Sequence, residues 1–163
     1  SRNDIVLDIA CGTGYGTLIL ADKSFSIKGV DISKRAIKYA KKNYKRRPNI
    51  DFIQSDLFNF NESADIVVSF ETIEHIPRDI EDIVVKLMSL ARKRLVCSVP
   101  YMEVAGDNKY HVHFNINETN FDFLKNFYQV KFLYQSATGE ILDCANEHTM
   151  TLIVVIDRNP LNI

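Results

Sequence analysis

Ile5-Val6-Leu7-Asp8-Ile9-Ala10-Cys11-Gly12-Thr13-Gly14-Tyr15-Gly16 decides how the rest of the chain is read. A short apolar run reads as a buried parallel strand. It ends in a turn where Gly12 and Gly14 let the backbone bend sharply and come close to a ligand with no Cβ atom in the way. Thr17-Leu18-Ile19-Leu20-Ala21 follows as a buried helical segment. Nineteen residues beyond Gly12, at the end of a second apolar run (Ile27 to Val30), stands Asp31. A carboxylate there can accept hydrogen bonds from both hydroxyls of a ribose. A dinucleotide site is the rival reading. Against it, the glycines run GxGxG, Thr17 takes the third place of GxGxxG, and the chain ends in a hairpin pattern rather than in a second set of βαβ units.

Outward from this turn the alternation continues. Ser33 is placed to cap a helix whose Ala36, Ile37, Ala40 and Tyr44 face inward, and Pro48 closes it. Ile50 to Ile53 and Ala64 to Phe70 read as the third and fourth strands. Pro77 is expected at the first position of the next helix, with Ile80, Ile83, Val84, Leu87 and Leu90 as its buried stripe and Arg92, Lys93 and Arg94 at its end. Leu95 to Val99 is the fifth strand, stopped by Pro100. A polar loop runs to about Asn115, and a short helix carrying Phe121, Leu124 and Phe127 is capped near Asn117. Val130 to Tyr134 and Met150 to Ile156 then predict an antiparallel pair at the sheet edge.

The bulk properties agree with one α/β domain. The chain has 163 residues, 46% of them hydrophobic and 25% charged. No apolar run is long enough to cross a membrane as a helix, and no secretory leader is visible, so a cytoplasmic protein is expected. The chain starts at Ser1 and its first strand begins by Ile5, so an N-terminal helical segment is expected to be missing from a single domain spanning 1–163. Cys11, Cys97 and Cys144 show no metal-type spacing and read as buried, reduced thiols. Net charge is −1, yet Lys34 to Arg47 holds eight cations and no acid, leaving −9 elsewhere. Such a stripe either solvates a helix face or meets phosphates.

The segments VLDIACGTGYGT, GVDIS, FIQSDLF and ADIVVSFETIEHI, in that order, resemble the motifs of class I S-adenosylmethionine-dependent methyltransferases, and the resemblance runs from Ile5 to Ile156. It implies a doubly wound, mostly parallel seven-stranded sheet with an antiparallel C-terminal strand. It also implies a cofactor site. Asp8 and the loop Ala10, Cys11, Gly12, Thr13, Gly14 and Tyr15 would hold the methionine part. Asp31 would grip the ribose, and Ile32 would pack on adenine. Asp56 and Leu57 would meet the adenine edge and face, and Phe70 and Glu71 would lie beside the sulfonium.

Methyl transfer from a sulfonium is an in-line displacement, so the protein mainly aligns the acceptor and excludes water. A base helps where the acceptor is a hydroxyl or an amine. His75 and His113, in the loops after the fourth and fifth strands, are the expected pair, and the two loops are expected to bring them together. Tyr101, Met102 and Tyr110 suit a partly apolar small acceptor, though aromatic groups also stack on nucleobases. The reading favoured is therefore transfer to an O or N atom of a small molecule, without a metal. The alternative is a metal-assisted RNA 2′-O-methyltransferase. There Glu71, Glu74, His75 and a later histidine would hold a divalent ion, an arrangement that resembles the small-RNA 3′-terminal enzymes. The oligomeric state has no signature in the sequence.

Overall fold

The computed structural model describes residues 3–158. They form two compact units, residues 3–69 with 86–92 and residues 70–85 with 93–158.

The first unit is the βα half. β1 (Ile5–Ile9), β2 (Ser26–Asp31), β3 (Ile50–Gln54) and β4 (Ala64–Phe70, whose last residue belongs to the second unit) lie parallel in the order β3-β2-β1-β4. Asp8 sits opposite Gly29 and Val68. β1 is buried from Val6 to Ile9, as a central parallel strand must be when both its faces are covered. α1 (Tyr15–Ala21) buries only Thr17 and Ala21, and Ile19 is exposed, so the segment expected to be buried throughout is amphipathic. α2 (Lys34–Tyr44) starts where Ser33 Oγ accepts from the Ala36 N–H at 3.2 Å. Its Ile37 and Ala40 pack on Phe52 of β3, together with Cys11, Tyr44 and Ile50, and its cations point to solvent.

The second unit is largely antiparallel. After β4 the chain makes a 3-10 turn (Ile73–His75) and then enters α3 (Ile80–Leu90), whose residues from Lys86 on belong, with Ala91 and Arg92, to the first unit. Pro77 therefore lies in a bend before the helix and not at its first position. The helix begins where Asp79 C=O accepts from the Ile83 N–H. The expected apolar stripe is buried at Ile83, Val84, Leu87 and Leu90. α3 stops at Leu90 because β5 (Ala91–Pro100) starts at once, so Arg92 and Arg94 are strand residues that bind Asp65 and Asp157 rather than a helix end. β6 (Gln129–Ser136), β7 (Ile141–Leu142) and β8 (Thr149–Asp157) complete the order β5-β8-β6-β7. The antiparallel register runs from Arg94↔Asp157 to Pro100↔Thr151. Every second residue of β8 is buried (Leu152, Val154, Ile156). Among the described residues the strands thus number eight rather than seven, the addition being the two-residue β7.

Residues Glu118–Leu124 form a 3-10 helix, not an α-helix, under a reciprocal Asn117–Asn120 cap. Phe121 and Leu124 are buried, whereas Phe127 is exposed. The cysteines are reduced. Cys97 is buried and Cys11 half-buried, but Cys144 is exposed, contrary to expectation, because it lies in the loop between β7 and β8. Among the described residues no helix is long and apolar enough to cross a membrane.

Candidate functional site

The loop between β1 and α1 is shaped by three left-handed residues, Ala10, Gly12 and Gly14, with φ of 61°, 54° and 82°. Two of the three are glycine, where this conformation costs little. The third is Ala10, where it costs about 1–2 kcal/mol, and stored strain of this kind clusters at functional sites. The two glycines serve different ends. A Cβ on Gly14 would lie 2.7 Å from the Phe52 ring and 3.1 Å from Ala40, so Gly14 is required by packing. A Cβ on Gly12 would meet nothing within 4 Å, so that face of the loop is open.

Asp31 ends β2 and holds the loop in place. Its Oδ2 accepts from the Gly12 N–H at 2.8 Å and its Oδ1 from the Ser33 N–H at 2.7 Å. Each oxygen keeps a second lone pair, and the residue is half-exposed. Tyr15, at the start of α1, and Ile32, just before the Ser33 cap of α2, flank the loop and are both 68% exposed. Asp8, 5% exposed, has a pKa raised from 3.8 to about 6. Burial is the main cause; the Thr17 Oγ1 bond (2.5 Å) opposes it and the Asp31 charge adds to it. The Cys11 thiol is pushed up to about 12 by burial and by the Asp8 and Asp31 carboxylates, so it stays protonated. Thr13 is exposed. Asp56 caps the 3-10 turn Leu57–Asn59, its Oδ1 accepting from the Phe58 N–H at 2.8 Å, and Leu57 is buried.

The second unit carries a separate polar cluster. Glu71, left-handed at φ 47°, is clamped to β5: its N–H donates to Ser98 and its Oε1 accepts from Ser98 Oγ at 2.7 Å. Glu74 is 1% exposed, and neither carboxylate oxygen has a hydrogen-bond partner. Burial raises its pKa to about 7. The loop after β5 folds over this turn, the Val112 N–H donating to the Glu74 carbonyl at 2.8 Å. His75 Nδ1 donates to the Tyr110 carbonyl at 3.1 Å, which leaves Nε2 as the basic nitrogen. The histidine beside it is His111, with ring centroids 4.6 Å apart. His113, the expected partner of His75, donates from Nε2 to the Ile76 carbonyl at 2.9 Å. His111 Nδ1 is bound to Glu103, and its Nε2 accepts from Asn108 Nδ2 at 2.9 Å. Phe70, before Glu71, is exposed.

Thr17, Ser98, Glu103 and Asn108 were not singled out from the sequence. Thr17 carried a signal, since it stands where a dinucleotide turn has its third glycine. Ser98 reaches Glu71 across 27 positions, a pairing that no local pattern reveals.

Residues 6–94, just over half of the chain, match the family model described as a methyltransferase domain. Glycine N-methyltransferase of Mus musculus is 43% identical over 49 residues, covering 28% of this chain and 17% of that protein. The malonyl-[acyl-carrier protein] O-methyltransferase of Halalkalibacterium halodurans is 46% identical over 55 residues, or 32% and 20% of the two. The matched stretches thus span about a fifth of these curated relatives. Magnesium protoporphyrin IX methyltransferase from Synechocystis, solved with bound S-adenosylmethionine, superposes with a TM-score of 0.72. That match covers 97% of this chain and 71% of that one at 19% identity, which shows a shared fold.

Proposed function

The chain belongs to the methyltransferase-domain family, and on that premise we propose that it moves a methyl group from S-adenosylmethionine to an O or N atom of a small-molecule acceptor. The observation that carries this reading is the pairing of Asp31 with the Gly12 loop. A half-exposed carboxylate holds a glycine whose outer face is open, with Tyr15 and Ile32 bare beside it. That is the cradle an adenosine ligand needs: two lone pairs for ribose hydroxyls, an apolar face for adenine and a backbone with no side chain in the way. When bound, the cofactor supplies an activated methyl on a sulfonium. Asp8 and the loop 10–15 would face its methionine part, Asp31 its ribose, Ile32, Asp56 and Leu57 its adenine. For Phe70 and Glu71 a role beside the sulfonium is what the family resemblance alone would imply.

For a hydroxyl or protonated amine acceptor, His75 is the proton acceptor best prepared. Its Nδ1 is fixed on a carbonyl and its Nε2 lone pair is free to take the proton. His113 donates from Nε2 to the Ile76 carbonyl, which ties the loop after β5 to the turn after β4 and leaves Nδ1 as its basic nitrogen. By their names, the two curated relatives given above act on glycine and on a malonyl group of acyl-carrier protein. Those acceptors support the small-molecule reading over RNA.

Calorimetric titration with S-adenosylhomocysteine, with NADH as control, tests the cofactor assignment. Micromolar binding of the first and none of the second is expected. The reverse, or binding of neither, refutes it.

A further inference from the structure

We propose that the outer face of α2 docks on the surface of an anionic lipid bilayer, its cations meeting the lipid phosphates. Lys34, Arg35, Lys38, Lys41 and Lys42 are all exposed. At 3.6 residues per turn they fall within an arc of about 120°, turned away from the buried Ile37 and Ala40. Lys45 and Arg46, also exposed, carry the same face past the end of the helix. Lys34, Lys38, Lys41 and Lys45 make one row nearly parallel to the helix axis, about 16 Å long. Arg35, Lys42 and Arg46 make a second row beside it.

Three observations separate this face from one that merely meets water. First, the chain leaves it nearly uncompensated. Of the eight cations from Lys34 to Arg47, among the described residues Arg47 alone is paired with an acid, Asp22 at 3.1 Å. Asp51 of β3 lines a cleft with Lys41 and Lys45 and offsets part of their charge. Second, the arrangement works against the helix that carries it. The first turn holds no acid, and Lys34 and Arg35 stand at the end where the helix dipole disfavours a cation. Lys38 has like charges three or four positions away at Lys34, Arg35, Lys41 and Lys42, each a repulsive neighbour. A solvated face mixes both signs and gains from such pairs; a uniform one is favoured where an outside anion meets it.

Third, the face is convex, lysine-rich and preformed. Ile37 and Ala40 pack on Phe52, so the cations are presented without any folding on contact. Protein interfaces are depleted in lysine, and proteins that track single strands of nucleic acid do so in a groove. A plane of anionic headgroups suits a convex face of flexible point charges, since it asks for no fixed geometry. Tyr39, 53% exposed at the margin of the arc, is the kind of amphipathic side chain that sits at headgroup level. Such a contact requires no helix that crosses the membrane, and it does not depend on the methyl-transfer reading.

The test is co-sedimentation of the chain with vesicles of phosphatidylcholine and phosphatidylglycerol, mixed two to one, and with vesicles of phosphatidylcholine alone. Binding to the first and none to the second is expected. It should fall at least tenfold when the salt is raised from about 0.05 M to about 0.5 M, because screening shortens the reach of each charge. Lys38→Glu with Lys42→Glu should weaken it at least tenfold, since each cation near the surface contributes roughly fivefold. Lys38→Arg with Lys42→Arg should keep it. Lys125→Glu with Lys131→Glu, the same change of charge on exposed cations of the second unit, should leave it nearly unchanged. Circular dichroism checks that each variant is folded, and Lys41→Glu with Lys45→Glu gives the same reading should the first pair fail. Absence of binding to the anionic vesicles, equal binding to the neutral ones, or binding that survives these reversals overturns the proposal. So does tighter binding of a single-stranded RNA at the same salt, lost with the same reversals, which would assign the face to nucleic acid.

Discussion

Replacing Asp8 by asparagine should stabilise the unliganded protein, and only above the pH at which Asp8 ionises. Asp8 is 5% exposed, and its pKa is raised from 3.8 to about 6, chiefly by burial. A raised folded-state pKa means that the fold prefers the neutral carboxyl. The favourable contribution is whole below the unfolded value and is lost as pH rises through about 6. A rise from 3.8 to about 6 corresponds to about 3 kcal/mol of stability that the wild type loses between about pH 4 and pH 7. Asp8→Asn keeps the acceptor for Thr17 Oγ1 and cannot ionise. Urea unfolding followed by circular dichroism should therefore show the two proteins nearly equal at about pH 4. The variant should be ahead by about 3 kcal/mol at pH 7, with a level gap above. A gap of the same size at every pH would refute the reasoning, since it would mean that Asp8 ionises in the fold as it does in water. On the proposed function the same group has an opposite consequence for binding. A ligand ammonium beside Asp8 needs it ionised, so S-adenosylhomocysteine affinity in the wild type should fall up to tenfold per pH unit below about 6, and Asp8→Asn should bind poorly at pH 7.

Gly14→Ala meets both a left-handed φ and the Phe52 ring, and should cost about 2–5 kcal/mol in urea unfolding. Gly12→Ala has open space and should cost only about 1–2 kcal/mol while sharply weakening S-adenosylhomocysteine; equal losses of stability would contradict the packing argument. Asp31→Ala should weaken S-adenosylhomocysteine by about 1–3 kcal/mol in calorimetry, and unchanged affinity would detach this carboxylate from the ligand. With an acceptor in hand, His75→Ala should lower turnover by roughly 10²–10⁴ with cofactor affinity preserved. His113→Ala should instead cost about 0.5–1.5 kcal/mol of stability for its lost bond to Ile76, with a smaller effect on rate; the opposite ranking would make His113 the base.

Where local pattern and final structure coincide, the reason is that the information is local. β1, β2, β3 and β4 are runs of apolar residues that must be buried on both faces, and their order along the chain follows from the alternation with helices. Asp31 was legible because its distance from the glycine turn is fixed by one βαβ unit. The misreadings share the opposite cause. Pro77 has the chemistry of a first helical residue, but a turn held by the loop after β5 occupies that place. Arg92 and Arg94 look like the end of a helix, but pairing with β8 draws the chain into a strand first. Phe127 fits the apolar spacing of a helix, but the 3-10 helix ends at Leu124 and Phe127 lies exposed in the turn after it.

The sequence by itself determined the alternating βα half, the loop at Gly12 to Gly14, the carboxylate facing it and the family to which they belong. Each depends on residues within one turn or one βαβ unit, where steric and hydrogen-bonding rules act over short range. Only the tertiary structure decided that Asp8 is buried enough for its pKa to rise, that Gly14 serves packing while Gly12 leaves room, and that the His111 ring packs against His75. It also brought Ser98 to Glu71 and left Glu74 buried without a partner. Those facts depend on the electrostatic surroundings and contacts of residues tens of positions apart, and desolvation, the force behind most of them, is a property of the folded neighbourhood and not of any segment.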